Sequence, residues 1–313
     1  VRAASRRRVL RVSTGMRAVR TALLAIVLLG CHRSEPSAGS TDAGASQPGP
    51  LPSAPANATP LPVASIEAAV NPQHLPVYSG PTGSLEGTIR VEGPAAPERT
   101  GLDFSKCPEA EKFYGKLFRE GPPDPDGKRP LADALIVMTG YSGFYLPERN
   151  VAASAWIEGC QFNSRTIALT YGQRLEIGNK TPALWAPSLA QAPLPALMMA
   201  TSHGDPIRLY PPHPGYFTLI DNLKHPYAQA DVYALLHPLH TVSDAAGHYR
   251  IDGIPVGKLQ VNARLAAFDG STTEDVEILA NVVQKADLVL KYVPKTVISL
   301  DGATLPKNSG IIH

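Results

Sequence analysis

The chain is poor in cysteine, in long apolar runs and in catalytic motifs, and each shortage excludes a class of protein. Three cysteines in 313 residues are too few for a disulfide-dense scaffold. The apolar run Ala22–Leu29 has eight residues, and a helix needs about 20 to cross the roughly 30 Å apolar layer of a membrane. The sequence contains no HExxH, no GxSxG, no phosphate-binding glycine loop and no Rossmann fingerprint. We therefore predict that the protein is not an enzyme.

Positive charge is concentrated at the N-terminus. Residues 1–30 contain seven arginines and no acidic residue, so removing them from the formal net charge of +2 leaves −5 for the rest. A mildly acidic chain has no basic surface of the kind that binds nucleic acid, so no nucleic-acid partner is expected.

The N-terminal segment is typical of an export signal. A short basic region precedes the apolar run, which ends in Leu28-Leu29-Gly30-Cys31. This resembles the bacterial lipobox, which implies that Cys31 is lipidated and anchors the protein to a membrane. His32 rather than aspartate follows the cysteine, which implies sorting to the outer membrane. The alternative is an ordinary secretory signal with a cysteine at this place by chance.

The residues that follow are rich in Pro, Ser, Ala and Gly. Such a composition buries too little apolar surface to offset chain entropy. We interpret residues 31–75 as the lipidated cysteine followed by a disordered linker.

The rest of the chain predicts short strands separated by turns. Alternating or apolar segments recur at short spacing, for example 87–92, 133–138, 166–170 and 230–236, and no long helix is indicated. This pattern favours an all-β fold built as antiparallel β-sandwiches.

Lipidation of Cys31 leaves Cys107 and Cys160 as a pair. An even number of cysteines in an exported chain favours a disulfide between them, and two buried free thiols are the alternative. Redox catalysis is not expected, because the sequence has no CxxC.

The segment 159–238 resembles cupredoxin-like proteins of the plastocyanin and methylamine-utilisation type. The resemblance is carried by Gly159-Cys160-Gln-Phe162, by the strands around Gly172-Gln173 that end at Asn179, and by His225-Pro226. In that family a type 1 copper is held by two histidines, a cysteine and a methionine, and the thiolate is essential to its electron-transfer character.

Most of those ligands are replaced in this sequence. The first histidine maps to Trp185, the cysteine to Asn222 or Asp221, and the methionine to Ala228 or Ala230; His225 alone remains. We therefore expect no copper or other cofactor at this position. Trp185 is interpreted as an apolar plug and His225 as a hydrogen-bonded loop histidine.

A rearranged copper or zinc site is the alternative. Its candidate ligands are histidines and methionines, because imidazole and thioether groups suit copper. They are His203, His213, His225, His237, His240, Met198 and Met199.

The segment 241–292 resembles the carboxypeptidase regulatory-like, or transthyretin-like, β module. The motif runs from Asp244 and Gly247 through Tyr249 and Ile251 to Pro255-Val-Gly257. Asp and Gly favour turns, and Tyr249 and Ile251 fall on one face of a strand. Despite its name, such a module carries no peptidase residues.

These observations predict five regions: a signal peptide (1–30), the linker (31–75), a cupredoxin-like domain (84–240), the regulatory-like module (241–293) and a tail (294–313). Whether strands 87–92 and 133–138 belong to the first or the second sandwich stays open. The predicted function is a non-catalytic cell-envelope lipoprotein with a structural role or one in binding a ligand, protein or glycan. The alternative is a copper-binding or electron-transfer protein with a rearranged site.

The lipobox resemblance generates the first testable prediction. Substituting Cys31→Ser removes the acylated thiol, so the protein is expected to leave the membrane fraction and become soluble in the periplasm. Fractionation and detergent partitioning of cells that express each form measure this. Unchanged partitioning of the variant would contradict a lipid anchor at Cys31.

Overall fold

The computed structural model describes residues 59–193 and 197–294, with the backbone of 296–298 and 304–306. The predicted signal peptide, Cys31 and the linker up to residue 58 lie outside the described residues. Among the helices of the described part, none is long and apolar enough to span a membrane.

The fold is all-β, as the sequence predicts. The helices of the described part are short: α1 (Val63–Val70), the 3-10 helix Pro108–Ala110 and α2 (Glu111–Tyr114). The strands are β1 (Thr82–Glu92), β2 (Arg129–Pro130), β3 (Leu135–Thr139), β4 (Ala152–Glu158), β5 (Gln161–Phe162), β6 (Thr166–Thr170), β7 (Arg174–Asn179), β8 (Pro187–Leu189), β9 (Ile207–Leu209), β10 (Gly215–Asp221), β11 (Gln229–Leu235), β12 (His240–Val242), β13 (His248–Pro255), β14 (Gly257–Arg264), β15 (Ser271–Ile278), β16 (Val283–Lys285), β17 (Leu288–Lys291), β18 (Thr296–Ile298) and β19 (Thr304–Pro306).

Two sheets form a framing sandwich from both ends of the described chain. One sheet is ordered β13–β1–β16, with β17 and β2 also paired to β1, and the other is ordered β12–β3–β14–β15. The long strand β1 lies at the centre of the first sheet, and Leu85 and Ile89 on it are fully buried. They pack with Met138 and Val261 of the second sheet in one hydrophobic core.

The strands between β3 and β12 form a second, inserted sandwich. Its sheets are β5–β4–β7–β9 and β6–β11–β10–β8. The alternating burial along β10 puts Phe217 and Leu219 in its core, against Ile177 of β7 and Val232 of β11. Both sandwiches contain parallel pairs besides the antiparallel ones, namely β1 with β16 and β17, β4 with β7, and β6 with β11.

This pairing answers where the early strands belong and changes the predicted domain boundaries. β1 pairs with β13 and β17, and β3 pairs with β12 and β14, so both early strands belong to the framing sandwich. The predicted region 84–240 therefore does not form one sandwich, and the region 241–293 completes its sandwich with strands from before residue 140. The inserted sandwich starts at β4, because the chain leaves the frame after β3 and returns at β12.

The motif around Asp244 folds as its residue types predict. The Asp244 carboxylate accepts hydrogen bonds from the backbone N–H groups of Ala246 and His248, both at 2.8 Å. Gly247 has φ of +78°, and a Cβ there would meet the Ile89 carbonyl oxygen, so glycine is required. The strand that follows buries Tyr249 and Ile251 on the core side.

Two predictions of irregular structure were wrong in part. The predicted linker 31–75 includes helix α1, which follows Pro62; its alanines, isoleucine and glutamate suit a helix, and Ile66 packs at Gly172 in the turn after β6. The predicted tail 294–313 includes the paired strands β18 and β19.

Charged groups are buried where the two sandwiches meet, and we call this group the seam. Asp133, 2% exposed, precedes β3 of the frame. Its carboxylate accepts from Arg119 Nε at 2.6 Å and Nη2 at 2.7 Å, and from the backbone N–H of Arg165 at 3.1 Å. The Arg165 guanidinium donates to the carbonyls of Lys116 and Leu117. A buried charge is tolerated only when it is paired and hydrogen-bonded in this way.

The seam generates a prediction about stability. Asp133→Asn keeps the side-chain shape and tolerates the positive φ of 63°, but it leaves Arg119 and Arg165 without a buried counter-charge. We expect the free energy of unfolding to fall by about 3 kcal/mol, measured by chemical denaturation. The matched control is Asp126→Asn, which removes an exposed carboxylate and should change stability by less than about 0.5 kcal/mol. Equal unfolding midpoints for the two variants would contradict the role of the seam.

Candidate functional site

His225 lies in the loop between β10 and β11, at one end of the inserted sandwich. Its side chain is buried, and Nδ1 lies 2.9 Å from Asp221 Oδ2. Because an ionised carboxylate only accepts hydrogen bonds, Nδ1 carries the proton and donates it to Asp221. That nitrogen therefore has no lone pair available for a metal, and Nε2 is the ring nitrogen that keeps one. His225 is a hydrogen-bonded histidine in a loop, an arrangement that metal-ligating histidines share.

Asp221 holds this loop in shape. Its side chain is fully buried at the end of β10. Oδ1 accepts from the backbone N–H of Ala186 at 2.7 Å, and Oδ2 accepts from the N–H groups of Lys224 and His225 at 3.2 and 3.3 Å. With the bond from the imidazole, four donors surround the carboxylate. One of the two positions to which the family's cysteine maps is thus occupied by an anchor of the backbone.

Trp185 fills the space beside the imidazole. The two rings are stacked, with their centroids 3.8 Å apart and their planes 9° from parallel. The indole is fully buried, and its Nε1 donates to Thr181 Oγ1 at 3.1 Å. Thr181 in turn donates to Asn179 Oδ1, so the tryptophan is fixed by a short polar chain. Trp185 is thus a buried side chain that fills the space beside His225, while its interpretation as a plug in the place of a lost ligand stays a prediction.

The other mapped positions carry no ligand directed at the imidazole. Asn222 Nδ2 donates to the Ala186 carbonyl at 2.9 Å and to Ser188 Oγ at 2.7 Å. Ala228 is fully buried and Ala230 nearly so, and a methyl group offers no lone pair. The mapped residues occupy the same end of the sandwich, where they make a packed and hydrogen-bonded loop.

A segment of the frame covers this end of the inserted sandwich. We call Leu102–Tyr114 the strap; it follows β1 and ends with α2. Phe104 packs on Tyr227 with ring centroids 5.0 Å apart, and Tyr114 Oη accepts from the backbone N–H of Phe162 at 3.1 Å. The predicted disulfide is confirmed: Cys107 of the strap is bonded to Cys160, in the turn between β4 and β5.

Tyr227 places a hydroxyl beneath the strap. The residue is 3% exposed, and its Oη has no hydrogen-bond partner among the described residues. Burial raises the pKa of Tyr227, and the charges of Glu109 and Asp221 raise it further. The phenol therefore stays protonated at neutral pH.

His237 and His240 form a separate group at the other end of β11. This strand has seven residues, so the group lies about 20 Å from His225. His240 Nε2 lies 3.2 Å from Thr170 Oγ1, which donates to Glu148 Oε2 at 2.7 Å. The pKa of His240 is lowered to about 4, chiefly by burial and also by the charge of His237, while Glu148 opposes the shift. The structure therefore does not bring these three candidate histidines into one metal centre.

The remaining candidates are also dispersed. His203 is exposed, and its backbone N–H donates to the Asn179 carbonyl at 2.7 Å. His213 Nδ1 lies 2.9 Å from the carbonyl oxygen of the next residue, Pro214. Met198 packs against the core and Met199 is 41% exposed.

Asp221 was predicted at a mapped copper position, but its bond to His225 and the role of Tyr227 were not predicted. Aspartate that accepts N–H groups three and four residues later is a common turn former, so the spacing of Asp221 and His225 was a usable signal. The position of Tyr227 under the strap had no local signal, because Phe104 is more than a hundred residues away in the chain.

Comparisons with known proteins identify partial likenesses only. No protein family and no curated protein is matched by the sequence. Amicyanin from Paracoccus versutus is 13% identical over 28% of this chain and 84% of its own, with a TM-score of 0.24. A copper-containing nitrite reductase from Thermus scotoductus SA-01 is 17% identical over 32% of this chain and 26% of its own, with the same TM-score. Likenesses at this level do not establish a family.

The buried His240 predicts a pH dependence of stability. Its pKa is about 4 when folded and about 6.5 in an unfolded chain, so the unfolded state takes up the proton first as pH falls. The contribution of neutral His240 to the free energy of unfolding is fully present above pH 6.5 and falls by about 3 kcal/mol toward pH 4. The stability advantage of the native protein over His240→Gln should therefore shrink across this range in denaturant titrations. The variant His248→Gln, which removes an exposed histidine, serves as the control. Parallel curves for all three proteins would contradict the assignment.

Proposed function

We propose that this chain is a non-catalytic, lipid-anchored protein of the bacterial cell envelope with a structural or partner-binding role. In this proposal the inserted sandwich is a cupredoxin-like domain that has lost its copper centre, and the framing sandwich is a transthyretin-like module. The observation that carries the proposal is the Trp185–His225 stack, in which the Nδ1–H group of the imidazole donates a hydrogen bond to Asp221.

The chemistry of the stack supports the loss of copper. A neutral indole is a hydrogen-bond donor only, so Trp185 does not replace an imidazole ligand. Neither Asn222 nor Asp221 can supply the thiolate that a type 1 centre requires. Since Nδ1 of His225 donates to Asp221, a metal could bind this ring only through Nε2. The neighbouring mapped positions, Asn222 and Ala228, supply no second ligand to complete such a site.

Two buried acidic groups and one half-buried one support a non-catalytic role. The carboxylate of Asp133 is bound by Arg119, that of Asp221 by four donors, and that of Asp231 by the Tyr216 hydroxyl at 2.6 Å. A general acid or base must face a substrate with a free position. These three groups instead hold elements of the fold together.

The framing sandwich offers a surface for a polar partner. A groove of about 710 Å³ crosses its five-stranded sheet. Arg250 and Lys285 line it together with Glu86 and Asp287, so the surface carries both signs of charge. Charges of both signs contribute more to the orientation and selectivity of a protein contact than to its affinity.

A copper-binding role through a rearranged site is the second candidate. It is favoured by His237, whose Nδ1 is buried without a hydrogen-bond partner among the described residues. His240 lies three residues further on, and neutral imidazoles suit copper. Burial lowers the pKa of both histidines, so both are neutral at pH 7.

Copper titration of the purified full-length protein tests the first proposal against the second. We expect no thiolate-to-copper absorption with Cu(II), and no change of copper affinity in His225→Ala, because the neighbouring mapped positions supply no further ligand. Isothermal calorimetry and absorption spectra measure both quantities. Stoichiometric binding that is abolished by His225→Ala, or by the double substitution of His237 and His240, would overturn the first proposal and establish the second.

A further inference from the structure

Four aliphatic residues lie exposed at one end of the framing sandwich, and we call this group the end patch. They are Val256, Leu279, Val282 and Val283, and each is between 36% and 49% exposed. Val256 connects β13 to β14, and the other three follow β15, with Val283 as the first residue of β16. Single exposed apolar residues are ordinary on a protein surface, whereas a group of them inside a polar border marks an interaction site.

The two turns that carry the end patch lie side by side. Gly257 is opposite Ile278 in the pairing of β14 with β15, so Val256 and Leu279, just beyond this pair, are neighbours. A Cβ on Gly83 of β1 would meet the Leu279 carbonyl oxygen, so the start of β1 packs directly against the second turn. The end patch is therefore one surface rather than four separate side chains.

Backbone groups of both turns are paired within the frame. The N–H of Val256 donates to the Pro81 carbonyl at 3.3 Å, and the N–H of Asn281 donates to the Thr82 carbonyl at 2.9 Å. The Val282 carbonyl accepts from a backbone N–H of β1 at 3.0 Å. Unpaired backbone groups are what exclude most loops from lipid. Because these groups are paired, the turns can present their aliphatic side chains to an apolar surface without that cost.

Exposed charges of both signs border the end patch. The segments 253–257 and 278–284 contain no charged residue. Each segment is flanked by one acid and one lysine, namely Asp252 with Lys258 and Glu277 with Lys285. These four charges cancel, so the border favours neither a strongly acidic nor a strongly basic partner. A contact made here must depend on burial of the aliphatic side chains.

The chain that precedes β1 arrives at this same end of the frame. Pro81 and Thr82 make the backbone contacts with the two turns. Farther back, the predicted acylated Cys31 is separated from the described chain by the 27 residues 32–58. At roughly 3.1 Å per residue in their most extended form, these residues reach about 80 Å at most. A lipid anchor at Cys31 therefore leaves the end patch within reach of the bilayer.

The size of the end patch suits a lipid surface better than a second copy of the chain. Its four residues are each less than half exposed, so together they offer well under the about 800 Å² that each partner of a stable dimer buries. A lipid surface needs less, because a few apolar side chains suffice to enter the headgroup boundary to a depth of about 5–10 Å.

We propose that the end patch docks on the lipid surface to which the protein is anchored. This inference rests on the lipid anchor of the proposed function: the acyl chains hold the protein at the bilayer, and the four aliphatic side chains enter its interface. Docking gives the frame a fixed orientation. The end patch faces the lipid, and the opposite end of β1, which has eleven residues and is about 35 Å long, points away from it.

A fluorescent probe at the end patch tests the docking. In the lipidated protein, Val283→Cys supplies one free thiol, because Cys107 and Cys160 are bonded to each other. The thiol is labelled with nitrobenzoxadiazole, and the protein is reconstituted by its acyl chains into phosphatidylcholine vesicles. We expect phospholipids with a quencher on the acyl chain to lower the emission by about twofold or more. The control is a probe at Asp126→Cys, an exposed position whose loop is joined to the far end of β1, and it should show no quenching.

A second pair of variants separates the end patch from the probe. Adding Val282→Glu to the labelled Val283→Cys protein puts a charge into the lipid contact, so the quenching should be lost. The matched control is Val151→Glu, which changes an exposed valine of the inserted sandwich and should leave the quenching unchanged. Equal quenching in the two variants would contradict the docking.

Mass spectrometry of the same samples distinguishes failure of the docking from failure of the anchor. An acylated protein whose Val283 probe stays unquenched would overturn the docking and leave the anchor intact. A protein without an acyl chain would overturn the anchor, and the docking with it. Protection of the probe from iodide in water without quenching by the labelled lipid would assign the end patch to a contact between two copies, and it would also overturn the proposal.

Discussion

The buried carboxylate of Asp133 is the constraint on which the arrangement of the two sandwiches depends. A charge removed from water must be paired, and the partners of Asp133 come from both sides of the seam. Arg119 follows the strap, while Arg165 belongs to the inserted sandwich and lies just before β6. Burial lowers the pKa of Arg165, and the charge of Asp133 opposes that shift. A rotation of one sandwich against the other would separate these charges.

The seam also fixes what covers the end of the inserted sandwich. Arg165 donates to the carbonyls of Lys116 and Leu117, directly after the strap, so the strap leaves the seam in a set direction. The middle of the strap is held to the inserted sandwich by the bond between Cys107 and Cys160. Phe104 then lies on Tyr227, two residues after His225. The closed loop, the stacked rings and the disulfide are thus consequences of one connected set of contacts.

Local patterns predicted the individual strands well and their partners poorly. The strand 166–170 was predicted with its observed bounds, because alternation and flanking turns are local signals. The strand Ala152–Glu158 was missed, since its alanines and serine carry little strand propensity. The insertion itself could not be resolved, because β1 pairs with strands more than 150 residues away and periodicity carries no information about distant partners. Helix α1 was missed because the composition of the linker hid eight helical residues.

The candidate site was predicted by chemistry more than by pattern. The substitution of a ligand by Trp185 indicated an apolar plug, and the stacked geometry agrees with it. The four donors around Asp221 and the buried hydroxyl of Tyr227 could not be predicted from the sequence, because both depend on loops that the fold brings together. The separation of His225 from His237 and His240 follows from a single strand, β11, that lies between them.

Nitrogen NMR of the His225 ring measures the central claim most directly. If Nδ1 is committed to Asp221, the ring shows a protonated, hydrogen-bonded Nδ1, and its signal stays sharp after one equivalent of Cu(II). Assignment through His225→Gln identifies the resonance. Selective paramagnetic broadening of the His225 ring, whether or not the Nδ1 proton is lost, would show that a metal reaches the imidazole, and it would contradict the account.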